Sequence, residues 1–185
     1  MFKMFGEITN AKLLGGWTLK LEKADKLPQD LASAFGTLYG TKLGGAYQPL
    51  YYVGTQLVNG TNHMLIVERT RLVSGGKTTK EFAVVVINIP TGDFKGEAAT
   101  VVSETDATDF TLRDDIEKGV KKALADFTGA NHKPILELGE QIVRGKDYHF
   151  ICESKGSYPN AEPYLTRVAI NNFQDNWTID QIIRL

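Results

Sequence analysis

The feature that most constrains this chain is a repeat: residues 49–68 lie over residues 134–153 at a constant offset of 85, without a gap. Seven of the twenty positions are identical, namely Pro, Gly, Gln, Val, Gly, Ile and Glu, where usage-weighted coincidence gives about one. The register extends upstream, with Leu27, Asp30 and Leu31 falling on Leu112, Asp115 and Ile116. After the shared strand it slips by two, so that Ile87-Asn88 matches Ile170-Asn171 and Phe94 falls on Trp177. A chain that states one pattern twice folds as two related units, here residues 1–95 and 96–185. Each is large enough to bury a modest core.

With 42% hydrophobic and 23% charged residues, the composition is that of a globular protein rather than a disordered or fibrous one. Twenty-one basic residues against twenty-two acidic ones leave a net charge of −1. That balance supplies no pull toward nucleic acid or a membrane surface, and neither is expected as a partner. The single cysteine, Cys152, excludes an internal disulfide. The first ten residues lack the apolar run of a signal peptide, and no stretch reaches the length that spans a bilayer. The expectation is a cytoplasmic protein.

Each unit reads as an extended segment, a helix and a series of strands. Trp17, Leu19 and Leu21 alternate with period two, as on one face of a strand. A helix over 28–39 carries an apolar stripe of Leu27, Leu31, Ala34, Phe35 and Leu38, closed by Gly44-Gly45. In the second unit Thr111 reads as an N-cap with Asp114 three residues on, followed by Leu112, Ile116, Val120, Leu124 and Phe127 at helical spacing up to Gly129. Strands are expected over 50–57, 61–72 and 81–89, and over 135–142, 146–154, 164–171 and 178–184, joined as antiparallel neighbours. The segment 91–99 links the units and leads into a first strand of unit two near 99–103. Gly60 and Gly145 mark the first hairpin of each unit, with Asn59 or Arg144 at its tip.

Gln56-Leu57-Val58-Asn59-Gly60-Thr61-Asn62 resembles the Gln-x-Val-x-Gly first-hairpin motif of cystatins and stefins, and Gln141-Ile142-Val143-Arg144-Gly145 is a second copy. Leu13-Leu14-Gly15-Gly16 resembles the amino-terminal glycine region of that family, and Trp177 resembles the tryptophan of its second hairpin. The resemblance implies an α+β fold of two tandem cystatin-like units, each one helix packed on a curved antiparallel sheet. It also implies reversible, noncovalent inhibition of papain-like cysteine proteases, without metal or cofactor. The protease-binding wedge it implies consists of Gly15, Gly16, Gln56, Leu57, Val58, Asn59 and Gly60, with Gln141, Ile142, Val143, Arg144, Gly145 and Trp177 as a second edge. In such a wedge the glycine lets the backbone approach the cleft wall, while rigid apolar side chains supply contact area.

The chain departs from that pattern in several places. Phe94 stands where a second-hairpin tryptophan is expected, unit two has no Gly-Gly before its first strand, and Arg144 and Lys146 place charge on its hairpin. A duplicated binding module with a non-protease partner is therefore the alternative reading. Simpler roles also fit: a hairpin glycine that only supplies positive φ, a bend at Gly15-Gly16, and Trp177 as a packing anchor. The oligomeric state stays open.

No enzyme is expected. His149 and Cys152 are three apart on a strand, so their side chains leave by opposite faces, and Cys152 falls on Val67 of the first unit, a core position. His132 reads as isolated in a loop, and no His, Cys or carboxylate grouping has metal-site spacing. Gly75-Gly76-Lys77-Thr78 lacks the earlier glycine of a phosphate loop and opens no helix. A small-molecule site between helix and sheet, or at the seam of the units, is pointed to by no residue pattern.

Overall fold

The computed structural model describes residues 16–43 and 45–185. The first sheet contains β1 (Trp17–Lys23), β2 (Gly45–Val58), β3 (Gly60–Val73), β4 (Lys77–Ile89) and β5 (Thr100–Asp106), hydrogen-bonded in that order. The second contains β6 (Ala130–Val143), β7 (Gly145–Gly156), β8 (Tyr164–Phe173) and β9 (Asn176–Arg184). All pairings are antiparallel. Helix α1 (Gln29–Tyr39) lies between β1 and β2 in the chain, and α2 (Asp114–Ala125) between β5 and β6. The α2 cap is Arg113 rather than Thr111; Asp114, Asp115 and Glu117 crowd the first turn, where the helix dipole favours them.

The repeat is structural as well as sequential. The β2–β3 ladder is bulged between Pro49 and Tyr51 and between Tyr52 and Gly54. The β6–β7 ladder is bulged between Pro134 and Leu136 and between Glu137 and Gly139, the same places 85 residues on. Each bulge bends its strand and adds local twist. Paired bulges therefore curve both long hairpins alike.

Along β4 the side chains alternate between two cores. Ala83, Val85, Ile87 and Ile89 join Leu31, Ala34, Phe35 and Tyr39 of α1, while Phe82, Val84 and Val86 join Ile135, Leu138, Ile151 and Leu165 of the second sheet. A third core sets Ile116, Val120 and Ala123 of α2 against Tyr148, Phe150, Cys152, Val168 and Ile170. The layers run α1, sheet, sheet, α2.

This corrects the expected fold class. Among the described residues there are nine strands in two antiparallel sheets and only two α-helices, so the chain is a mostly β fold and not an α+β pair of cystatin-like helix-on-sheet units. The helices cover only the outer faces. The physical cause is that both faces of the central strands are apolar, and one helix buries only one of them.

A second difference concerns β5. The stretch expected as the first strand of unit two pairs instead with β4, Asn88 to Thr100 and Ala83 to Asp106. Glu104 of β5 accepts hydrogen bonds from the Tyr47 hydroxyl at 3.0 Å and the Lys42 ammonium at 2.9 Å, fixing the strand over the first unit. Among the described residues the second sheet consequently has no counterpart of β1.

Candidate functional site

The first hairpin turns between Val58 and Gly60, which pair directly. Gly60 has φ +97°, and a Cβ there would collide with the Ile89 carbonyl and come within 2.8 Å of Pro90 Cα. Gly145 repeats this with φ +95° and the Asn172 carbonyl as the obstacle. The glycines are thus demanded by the chain's own fold, and Gly60 is buried. What projects is the segment just before them. Leu57 is 85% exposed and Val58 50%, with Ile142 85% and Val143 42% in the second unit.

Both tips are pinned by an asparagine from the strand that follows the hairpin, β4 in unit one and β8 in unit two. The Asn88 amide donates to Asn62 Oδ1 at 2.8 Å and to the Asn59 carbonyl at 3.5 Å, while the Asn62 amide donates to Gln56 Oε1 at 2.9 Å. In unit two the Asn171 amide donates to Asp147 Oδ1 at 2.6 Å and to the Arg144 carbonyl at 3.3 Å. The motif glutamine of unit one therefore belongs to a cross-strand amide chain. The sequence signal for it was the match of Ile87-Asn88 with Ile170-Asn171.

Two further segments reach the same end of the first sheet. Trp17 pairs with Gln56, which brings Gly16 beside the hairpin; Gly15 lies outside the described residues. From Ile89 the chain passes Gly60 into the loop 90–98, where Phe94 is 88% exposed. That loop is held from inside. The Asp93 carboxylate accepts from the N–H groups of Ala98 at 2.9 Å, Glu97 at 3.1 Å and Lys95 at 3.3 Å, which keep it below its ordinary pKa. Gly96 packs so closely on α1 that a Cβ would stand 2.9 Å from that of Ala34.

Trp177 occupies no such position. Its ring stacks on Tyr148, with centroids 5.4 Å apart, and its indole lies directly on Gly119 of α2. It anchors helix to sheet, whereas its repeat counterpart Phe94 projects into solvent. The unit-two tip is also more basic. The Arg144 guanidinium lies 5.0 Å from the Phe173 ring centroid, and Lys146 pairs with Glu140 at 3.0 Å.

Three buried histidines complete the inventory. The Tyr52 hydroxyl meets His63 Nδ1 at 2.8 Å. His132 is on β6, not in a loop, with its Nδ1 2.7 Å from Ser154 Oγ. His149 faces away from Cys152 on β7, as alternation requires. Burial pushes all three imidazoles below their ordinary pKa and the Cys152 thiol above its own. Among the described residues no group of three His, Cys, Asp or Glu is placed to hold a metal ion, and no helix is long and apolar enough to cross a membrane. No family model matches the chain, and no curated protein matches it in sequence.

Proposed function

We propose that the chain is a reversible, noncovalent inhibitor of papain-like cysteine proteases that acts through the edge of unit one. The observation that carries this reading is the convergence of three segments at one end of the first sheet. These are Gly16-Trp17, the Leu57-Val58-Asn59 tip, and the braced loop that presents Phe94. Their order matches the hairpin motif's resemblance to cystatins and stefins. An apolar protrusion of this kind fills a cleft without placing a cleavable bond at the nucleophile. Because the tip and loop are already braced, docking orders few side chains. The lone, buried cysteine suits a reducing compartment, so the proposed target is cytoplasmic.

A second reading attaches to unit two. Its tip combines Ile142 and Val143 with Arg144 and has no first-strand segment beside it. That surface suits a non-protease protein partner with acidic groups around an apolar patch.

Titration of papain with the full chain tests the leading reading. Inhibition is expected at micromolar concentration or below, weakened at least about tenfold by Leu57→Asp or Phe94→Asp, as for central apolar contacts, and unchanged by Ile142→Asp. No inhibition by the folded wild-type chain, or equal loss from all three variants, rejects it.

A further inference from the structure

We infer that the gap between α2 and the start of β6 is a binding cleft for a small carboxylate with an apolar body. The repeat shows why the gap exists. In unit one the corresponding space is filled by Tyr39 and Tyr47, whose ring centroids are 4.8 Å apart and whose hydroxyls both donate to Glu104 of β5, with Arg69 beside them. At the offset of 85, Tyr39, Tyr47 and Arg69 become Leu124, His132 and Ser154. The strand register keeps the correspondence, since Tyr47 pairs with Arg69 and His132 with Ser154. Glu104 has no counterpart, because β5 belongs to the first sheet.

Loss of two phenols, a guanidinium and a covering strand leaves a cleft of ≈ 450 Å³ whose walls include Leu112, Leu124, Pro134, Lys121, Lys133 and His132. That volume suits a small organic molecule. The apolar walls fit a hydrocarbon body; Lys121 is paired with Glu117 of the same wall, so the anionic head is favoured by Lys133 and by a donor from His132.

His132 supplies the specific contact. Its Nδ1 lies 2.7 Å from Ser154 Oγ, which lies 2.6 Å from Thr166 Oγ1. If Nδ1 carried the proton, Ser154 would donate to Thr166, and the Thr166 hydrogen would be left without an acceptor in this chain of groups. The arrangement that places every hydroxyl hydrogen runs from Thr166 to Ser154 to His132 Nδ1. Nε2 then carries the proton as a donor, and it is buried with no hydrogen-bond partner. A buried unpaired donor calls for an acceptor. A ligand carboxylate oxygen meets that requirement once Phe127, 40% exposed and edge-on to the imidazole at 5.0 Å, turns aside.

The test is an NMR titration of the full chain with 3-phenylpropionate, using 3-phenylpropan-1-ol as the uncharged comparator. Saturable shifts of the His132 imidazole nitrogens and the Leu124 methyls are expected with the acid and not with the alcohol. His132→Phe removes the donor, and Leu124→Tyr restores the unit-one filler while leaving the histidine. Each should weaken binding at least about tenfold. Equal binding of the alcohol, full affinity in both variants, or no saturable shift at millimolar acid overturns the inference. The outcome is independent of protease inhibition, because the cleft and the Leu57 tip lie in different units.

Discussion

Gly60 and Gly145 hold positive φ while facing a neighbouring strand's carbonyl, so an alanine at either place meets both torsional strain and a backbone collision. Each substitution is expected to destabilise the chain by about 1–3 kcal/mol, read as a lower denaturant midpoint; an unchanged midpoint refutes the account. Replacing Gly60 by a bulky residue therefore probes folding, and Leu57 is the position that probes binding. At this scale the sequence was informative about identity and less so about direction. It paired Phe94 with Trp177, but one is 88% exposed and the other lies on Gly119, because the loop 90–98 docks on α1 while the β8–β9 hairpin lies along α2. The asparagine clasp was legible as a repeated Ile-Asn pair, yet its partners are brought together only by strand pairing.

Helix α2 is fixed to its sheet by an indole that covers a glycine, and this gives a prediction whose sign opposes propensity. Within a helix, Gly to Ala ordinarily stabilises by about 0.5–1 kcal/mol. Gly119→Ala is instead expected to destabilise by about 1–3 kcal/mol, because the methyl enters the space of the Trp177 ring. A higher midpoint for G119A excludes that packing. The core spans of the strands were readable from apolar runs and hairpin glycines, whereas their ends and the α2 cap were not. Residues 45–49 and 130–134 are strand only because β3 and β7 run alongside them. The allegiance of β5 was likewise hidden, since a short exposed strand carries no mark of the sheet it joins.

The two units meet through the same face: Val53 and Leu138, Ile66 and Ile151, and Phe82 and Leu165 are counterparts in the repeat and share one core. Each unit thus gives the same apolar face to the shared core. Titration ties the layers together as well, with His63 under α1, His132 under α2 and His149 on the opposite face of β7 from Cys152, all held below the ordinary histidine pKa by burial. Their folded pKa values lie below the unfolded one, so on acidification the unfolded chain binds protons first. Stability should be level above about pH 7.5 and fall below about pH 6.5, by as much as about 1.4 kcal/mol per pH unit for each histidine. Chemical denaturation from pH 8 to pH 5 measures it, and a flat profile contradicts the burial. By itself the sequence determined the duplication, the hairpins and the core positions, because side-chain period and glycine placement are local properties. Only the tertiary structure decided that two sheets share the central core, that β5 belongs to the first, and that Leu57 and Phe94 project while Gly60 and Trp177 pack. Those outcomes depend on which surfaces far apart in the chain bury one another.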